Sequence, residues 1–478
     1  MQLNVLLRGQ SNAQLMGDYN GGAQAMVDRV EELLGFDGAT DRVALEYSSQ
    51  ARNANTVFSG TALLGDWLKP TADALGWTTG RLEQSLLNYV GELPAARKAE
   101  PTAVVWLHSE YDSRDATLTP AEWQGALRSE AAQLRAAYGQ DAAALPYHFV
   151  SAIPYPDGTD AGHQAIRIGM EELAADPAFN ARIGARALDT DMSFDNLDGN
   201  SKTRDYGGSH QSNPDGMQTG ERLALSLAQD WAEHAKPGSP IALAGGQADD
   251  LGPQVVQASR IGDRQLALAV AHDAAGSLAP LDADAARGTG WTTIADATGA
   301  AMAATAATVT GPDSLLLDFA KPLPADARLF YGHGYGRLAG AEGGGRGNAV
   351  YDEQGMPIWV DAHGLAADGT IHAPVTAAAT LPAGEGADVV SLGAGSGGGV
   401  LAGGAGADRW LVAPGAGSAT IADFAPGEDH LVFTGIAAES LTTAPAEGGG
   451  LVITFDAAGH GVTLPGIAAL APGDILFA

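Results

Sequence analysis

Ser11 is the first residue whose type and position suggest chemistry. It lies in the tetrapeptide GQSN at residues 9–12, shortly after an apolar run at residues 3–7 that predicts a buried strand. A serine at the carboxyl end of such a strand in an α/β sheet lies where these sheets bind ligands. Its hydroxyl becomes a good nucleophile when a nearby base takes its proton and a third group orients that base. Ser11 is therefore a candidate nucleophile, and an ordinary turn serine is the alternative.

His210 and Asp205 are the candidate partners of this serine. Both lie in a loop before the last amphipathic helix of the first half of the chain, so the chain order would be Ser11, Asp205, His210. A solvated loop histidine is the alternative for His210. The same loop contains three rival aspartates, Asp191, Asp195 and Asp198.

A second polar stretch, at residues 106–112, begins at the end of another buried strand, which is predicted at residues 103–107. Its side chains should emerge at the same sheet edge as Ser11, because parallel strands end at one edge. His108 could donate a ring N–H to the site, or it could be a structural hydrogen-bonding residue beneath it.

Glu110 and Asp112 are the acidic residues of this stretch. One of them could replace Asp205 as the acid that orients the base. We favour the other interpretation, in which both residues brace the loop that carries them.

The elements that position these residues alternate between strands and helices up to about residue 236. One helix start is well marked: Thr119 is a candidate N-cap, Pro120 stands in the first turn and Glu122 at the third position. The alternation predicts an α/β domain at residues 1–236, with a parallel sheet and helices on both faces.

The character of the sequence changes after this domain. Short alternating apolar segments, separated by Gly, Pro and Asp, predict an all-β, sandwich-like accessory domain at residues 240–370. Residues 380–478 are rich in Gly, Ala and Asp and predict a small β-roll-like domain.

Two segments of that last domain fit a Ca²⁺-binding repeat. Residues 403–411 match the nonapeptide G-G-x-G-x-D-x-U-x, and residues 383–391 match it with one substitution. Asp408 and Asp388 are the aspartates of these matches and are candidate Ca²⁺ ligands. A glycine-rich β-solenoid or linker without metal is the alternative.

The composition excludes several classes of partner. Lys and Arg number 26 against 57 Asp and Glu in 478 residues, which gives a net charge of −31. This charge argues against nucleic acid and against anionic membranes as partners. The absence of cysteine excludes disulfides, thiolate zinc sites and a cysteine nucleophile. We recognise neither a signal peptide nor an apolar stretch that could span a membrane.

The motifs of the first domain, in this order, resemble those of the SGNH hydrolases, specifically the sialate O-acetylesterase-like carbohydrate esterases. GQSN matches the first block of that branch, and residues 59–61 look like the second, whose glycine would be Gly60. Residues 106–112 match a block W-x-Q-G-E-x-D in Trp, Glu and Asp. His108 replaces the amide that contributes to the oxyanion hole in the family. The last block is usually D-x-x-H, whereas the spacing from Asp205 to His210 is longer.

The resemblance implies a flavodoxin-like, three-layer domain and acyl transfer without a cofactor. Ser11 would attack an acetyl carbonyl, His210 would act as general base and then general acid, and Asp205 would orient His210. The N–H groups of Ser11 and Gly60 would hold the oxyanion, with a side-chain donor such as His108 or Asn12. Supporting roles fall to Gln10, Asn12, Glu110 and Asp112.

The C-terminal region resembles the end of RTX-type proteins, which type I systems secrete. This resemblance implies an extracellular protein that is exported without a signal peptide and could bind Ca²⁺. The surface of a virus-like particle is the alternative location.

Two functions follow from these resemblances. The first is an esterase that removes O-acetyl groups from polysaccharide or another glycan. The second is a carbohydrate-binding or adhesive protein, such as a particle spike or fibre, on an esterase fold with weak or no catalysis.

Overall fold

The chain forms two units according to its internal contacts. The computed structural model describes residues 1–71, 76–151, 153–190, 209–336, 338, 348–374, 381, 383–393, 399–471 and 473–478. Unit 1 consists of Met1–Leu251 and Gly332–Ala349, and unit 2 of Gly252–Tyr331 and Val350–Ala478. This division has two parts rather than the three predicted domains, and most of the two predicted β domains falls into unit 2.

A parallel sheet forms the centre of unit 1. The strands of this unit are β1 (Gln2–Gly9), β2 (Arg42–Glu46), β3 (Leu68–Pro70), β4 (Trp77–Thr79), β5 (Thr102–Leu107), β6 (Tyr147–Val150) and β7 (Ala181–Ala185). The order across the parallel sheet is β2-β1-β5-β6-β7, and β3 pairs with β4 in a separate hairpin. Because Gly9 of β1 lies opposite Leu107 of β5, the loops that follow these two strands start side by side.

Helices connect these strands. They are α1 (Ser11–Asp18), α2 (Gly22–Leu34), α3 (Arg81–Glu92), α4 (Ala95–Lys98), α5 (Pro120–Tyr138), α6 (Asp160–Ala175), α7 (Asn213–Asp230) and α8 (Pro240–Leu243). The predicted start of α5 is confirmed, since the Thr119 side chain accepts the Glu122 N–H over 3.2 Å. Gly139 ends this helix in the left-handed region, where a residue without a Cβ is favoured.

Side chains on the two faces of the sheet enter two hydrophobic cores. On β1, Leu3 and Leu7 point into one core together with residues of α2 and α7. Leu6 points into the other core with residues of α3, α5 and α6. The alternation along one strand explains this division, because successive side chains point to opposite faces. The predicted mixed α/β fold with a parallel sheet is thereby confirmed.

The segment Gly332–Ala349 belongs to unit 1 because a buried arginine holds its first part. Arg167 of α6 donates to the carbonyl oxygens of Gly334 over 2.6 Å and of Tyr335 over 3.1 Å. The Tyr335 N–H in turn donates to Asp160 over 2.8 Å. These bonds satisfy backbone groups of an irregular segment, as burial requires.

Unit 2 consists of strands. They are β8 (Gln254–Gly262), β9 (Gln265–Ala271), β10 (Trp291–Ala295), β11 (Ala301–Gly311), β12 (Ser314–Phe319), β13 (Ala327–Tyr331), β14 (Leu365–Ala366), β15 (Ile371–His372), β16 (Val389–Leu392), β17 (Val400–Leu401), β18 (Arg409–Val412), β19 (Ala419–Ile421), β20 (His430–Phe433), β21 (Thr442–Pro445), β22 (Gly450–Thr454), β23 (Gly461–Pro465) and β24 (Ile475–Phe477). A smaller sheet has the order β17-β19-β23-β22-β21.

A large mixed sheet runs through both predicted β domains. Its order is β14-β13-β10-β11-β12-β9-β8-β15-β16-β18-β20-β24. Strand β15 joins the two parts, because Ile371 pairs antiparallel with Gln257 and parallel with Val390. Strands β16, β18, β20 and β24 then pair in parallel as successive coils.

Among the helices that the structure describes, none combines the length and the apolar character needed to cross a bilayer.

Candidate functional site

The turn between β1 and α1 places Ser11 at the end of the central sheet. Only Gln10 separates the last residue of β1 from Ser11, the first residue of α1. Gly9 has no room for a side chain, because a Cβ atom there would lie 2.1 Å from the Leu107 carbonyl oxygen. The Gln10 N–H donates to that same oxygen over 3.3 Å. The end of β5 therefore fixes this turn, and Ser11 is 6 % exposed within it.

Two backbone N–H groups near this turn are free to bind an anion. Within the described part of the chain, no group accepts a hydrogen bond from the Ser11 N–H or the Gly60 N–H. The first is an unpaired donor at a helix N-terminus, where negative charge is favoured. The second belongs to a turn in which Gly60 has a φ of +68°. That turn is held near β1, since the Phe58 N–H donates to the Gly9 carbonyl over 3.1 Å.

Asn12 holds the loop that carries His210. Its Oδ1 accepts the Gln211 N–H over 2.9 Å, and its Nδ2 donates to the Ser209 carbonyl over 3.4 Å. Both neighbours of the buried His210 are thus bonded to the residue next to Ser11. The Ser11 hydroxyl makes no hydrogen bond with any described residue. Asn12 was predicted as an alternative oxyanion donor, whereas here its amide group bonds the residues on either side of His210.

Glu110 belongs to the same cluster. Its Oε1 accepts the Asn12 Nδ2 hydrogen over 2.6 Å, and its Oε2 accepts the Ser109 N–H over 2.9 Å. Burial raises the pKa of Glu110, and the nearby charge of His210 acts in the opposite direction. These contacts agree with the bracing role that the sequence favoured.

The predicted acid of the triad, Asp205, lies outside the described residues, as do its rivals Asp191, Asp195 and Asp198. The residues on either side of that segment are tied together, because Gln211 Nε2 donates to Thr190 Oγ1 over 2.8 Å. Next to Thr190, Asp189 receives two hydrogen bonds of 2.7 Å from Arg222 of α7. This buried bidentate pair anchors the chain to a rigid helix.

His108 uses both ring nitrogens for structure. Its Nδ1 contacts the Arg8 guanidinium, and its Nε2 lies 2.7 Å from the Thr61 carbonyl oxygen. Arginine has no acceptor, so Nδ1 accepts and the proton stays on Nε2, which donates to Thr61. Burial and Arg8 hold the pKa of His108 well below its usual value. The geometry therefore favours the alternative of a structural residue beneath the site, with no ring N–H left for an oxyanion.

Arg8 and Glu130 are buried charged residues near the site that the sequence interpretation missed. Arg8 on β1 forms a salt bridge with Glu130 of α5, and its guanidinium carbon lies 3.8 Å from the centroid of the Trp67 ring. Glu83, also buried, has no hydrogen-bond partner among the described residues, and burial raises its pKa well above the usual value. The signal was present in the sequence, because an arginine directly follows the apolar run at residues 3–7 near the end of β1.

Asp112 braces the loop that follows Gly60. Its two carboxylate oxygens accept the N–H groups of Leu63 over 2.8 Å and Leu64 over 3.0 Å. Burial raises the pKa of Asp112 to about 7. The side chain thus ties the end of β5 to the turn that presents the Gly60 N–H.

Gln10 is buried, and its side-chain amide has no hydrogen-bond partner in the part of the chain that the structure describes. An unpaired buried amide costs roughly 1–3 kcal/mol. Toward the described residues, Gln10 therefore makes no side-chain hydrogen bond that would support the site.

The candidate metal ligands Asp388 and Asp408 accept backbone N–H groups. Asp408 Oδ1 accepts the Asp388 N–H over 3.0 Å, and Asp388 Oδ2 accepts the Gly384 N–H over 3.0 Å. No cluster of three His, Asp or Glu residues suited to a metal ion occurs in the described ranges. Ca²⁺ prefers roughly six to eight oxygen ligands, so these two aspartates would need further ligands, and Ca²⁺ binding stays a prediction.

Comparisons with known proteins do not identify this chain. No protein-family profile matches the sequence, and no curated protein matches it either. Among solved structures, the N-terminal part of the bacterial S-layer protein SbsC is matched at 12 % identity and a TM-score of 0.17, over 30 % of this chain and 33 % of that one. The S-layer protein rSbsC(31-844) is matched at 11 % identity and a TM-score of 0.17, over 52 % and 29 %. The chain thus spans about a third or less of these structures, and similarity this low does not identify a shared fold.

Proposed function

We propose that unit 1 is a serine esterase, a carboxylic ester hydrolase that removes O-acetyl groups from polysaccharide or another glycan. One observation carries the proposal. Ser11 begins a helix at the end of a parallel strand, with two unpaired N–H groups nearby and with both neighbours of His210 bonded to Asn12. Nucleophile, oxyanion donors and base are the parts that acyl transfer needs.

The reaction would proceed in two steps. Ser11 Oγ attacks the acetyl carbonyl carbon while His210 takes the hydroxyl proton, and the Ser11 and Gly60 N–H groups stabilise the oxyanion. The C–O bond to the sugar then breaks, and His210 returns the proton to the sugar oxygen. Water, activated by the same histidine, releases acetate from the acetyl-serine. Asp205 would orient His210 in this scheme.

The fold and the location belong to the same proposal. The strand order β2-β1-β5-β6-β7, with helices contributing to a core on each face, supports the SGNH-type flavodoxin-like arrangement. The sequence resemblance of the C-terminal region supports an extracellular protein, with the surface of a virus-like particle as the alternative. The partner would be an acetylated glycan, and neither nucleic acid nor membrane.

The test is the hydrolysis of 4-nitrophenyl acetate, together with acetate release from an O-acetylated glycan. We expect Ser11→Ala to lower kcat/KM by about 10⁴-fold or more, because the covalent route is lost. Ser129→Ala on α5 is the control and should retain wild-type activity. Equal rates for wild type and Ser11→Ala would refute the esterase.

A glycan-binding protein is the second candidate. It is favoured by the Ser11 hydroxyl, which makes no hydrogen bond within the described residues, although catalytic hydrogen bonds are often loose in the absence of substrate. Glycan binding by wild type without Ser11-dependent acetate release would select this function.

A further inference from the structure

A cavity of about 410 Å³ adjoins the loops of the candidate site. Its walls come from the turn after Gly60 and from the loop after Glu110. The volume lies within the range of sites that hold small molecules, roughly 300–1,000 Å³. Of the residues that line it, the sequence singled out only Asp112, as a supporting residue of the candidate site.

The lining of the cavity contains apolar and aromatic side chains. Leu64 and Leu118 are the leucines of this lining. Tyr111 also lines the cavity and stacks on the buried Tyr155, with ring centroids 5.7 Å apart and planes 26° apart. This stacking fixes the Tyr111 ring, so the cavity has a preformed shape.

A donor and an acceptor stand at the exposed rim. The guanidinium carbon of Arg114 lies 5.3 Å from the centroid of the Tyr111 ring. Its side chain makes no hydrogen bond or ion pair in the described part of the chain. Asp115 Oδ1 accepts the Thr117 N–H over 2.8 Å, which orients its carboxylate. One cation and one anion at the rim suit vicinal hydroxyl groups, which both accept and donate hydrogen bonds.

The same loops connect the cavity to the catalytic groups. Tyr111 directly follows Glu110, which accepts a hydrogen bond from Asn12. A Cβ atom at Gly60 would lie 3.3 Å from the Tyr111 hydroxyl oxygen. The ring wall of the cavity therefore stands next to the turn that presents the Gly60 N–H.

We propose that this cavity, the Arg114 cavity, binds the uncharged pyranose ring that carries the acetyl group. Such a ring has an apolar C–H face for Leu64 and Leu118 and a rim of hydroxyl groups for Arg114 and Asp115. This inference rests on the proposed esterase function, because it assigns the sugar subsite of that reaction. Arg114 is a specificity residue in this view and takes no part in bond breaking.

The test compares a glycan ester with a small ester. Arg114→Ala should lower kcat/KM for O-acetylated xylo-oligosaccharides about ten- to hundredfold, mainly through KM, and leave 4-nitrophenyl acetate hydrolysis within twofold of wild type. Leu64→Trp, which fills the cavity, should act in the same way. Arg81→Ala, at an exposed arginine that begins α3, is the matched control. Equal losses on both substrates, or no loss, would overturn the assignment.

A binding measurement separates this inference from the esterase proposal. Calorimetric titration of Ser11→Ala with the same oligosaccharide should show binding that Ser11→Ala/Arg114→Ala weakens at least tenfold. If wild type lacks Ser11-dependent hydrolysis but this difference persists, the esterase fails and the sugar site stands. If O-acetylated oligogalacturonides bind more tightly than the neutral oligosaccharide, the assignment of an uncharged sugar is wrong. If neither binds, the Arg114 cavity is not a sugar site.

Discussion

Carboxylates in the two units accept the same kind of hydrogen bond in two different settings. In unit 1, Asp112 is buried and accepts two N–H groups from one irregular turn. In unit 2, aspartates on successive coils form a ladder, in which Asp408 accepts the Asp388 N–H and Asp429 accepts the Asp408 N–H over 2.9 Å. The first arrangement fixes a single loop, and the second repeats along the coils.

The difference shows how one side-chain type stabilises two kinds of structure. An irregular loop near a reactive group has unpaired backbone donors, and a single buried acid can satisfy several of them. In stacked coils each residue contacts mainly its neighbours, so stability is close to a sum over adjacent coils. Removing one acid should therefore affect the whole site in unit 1, but only adjacent coils in unit 2.

The largest effect is expected for Glu110→Ala. This change leaves the Asn12 amide and the Ser109 N–H without their buried acceptor, so the free energy of unfolding should fall by about 3–5 kcal/mol. If the esterase proposal is right, kcat/KM should fall about 100-fold as the His210 loop loses its anchor. Urea denaturation and ester hydrolysis measure the two effects. Glu110→Gln, which keeps one acceptor, should lose less of both; a larger loss would contradict the bracing role.

The next effect is a pH dependence caused by Asp112. Its pKa is raised to about 7 in the folded chain from 3.8. Between pH 3.8 and about 7, the Asp112 carboxyl keeps its proton in the folded state and has lost it in the unfolded state. The contribution of Asp112 to the free energy of unfolding is therefore largest below pH 4 and falls as the pH rises towards 7. The change should amount to about 4 kcal/mol. Urea unfolding of wild type and Asp112→Asn across this window would show it, and identical slopes would contradict it.

A smaller and local effect is expected for Asp429→Ala. Its carboxylate accepts the N–H groups of Asp408 and Ala425, and leaving them unpaired should cost about 1–3 kcal/mol. Hydrogen exchange should accelerate in β18 and β20, while β1 stays protected. Glu428→Ala, at the exposed neighbouring position, is the control and should change nothing. Faster exchange throughout unit 1 would contradict the local character of the ladder.

The smallest effect is expected for Ca²⁺. The aspartates of the ladder already accept backbone N–H groups, so millimolar Ca²⁺ or a chelator should leave the thermal midpoint of unit 2 unchanged. A ligand that binds only the folded state raises that midpoint according to its concentration relative to Kd. A rise with Ca²⁺ that chelation reverses would show that the coils rearrange to bind metal.

Local signals in the sequence determined several features. The apolar run at residues 3–7 indicates the strand that precedes Ser11, and Thr119 marks the start of α5. Strand–helix alternation predicted the parallel sheet of unit 1. Propensity, capping and periodicity act over a few residues, and for that reason spacing alone reveals them.

Tertiary structure alone decided what the polar residues contact. His108 meets Arg8 because β1 and β5 pair with Arg8 opposite Trp106, and no local pattern specifies that pairing. Asn12 bonds to both neighbours of His210 from far away in the sequence, whereas the sequence predicted it as a supporting residue or an oxyanion donor. The strand pairing of Ile371 that joins the two predicted β domains in one sheet is likewise specified by no local pattern. Long-range strand pairing and the burial of charge depend on the whole fold, and they set which hydrogen bonds a side chain must make.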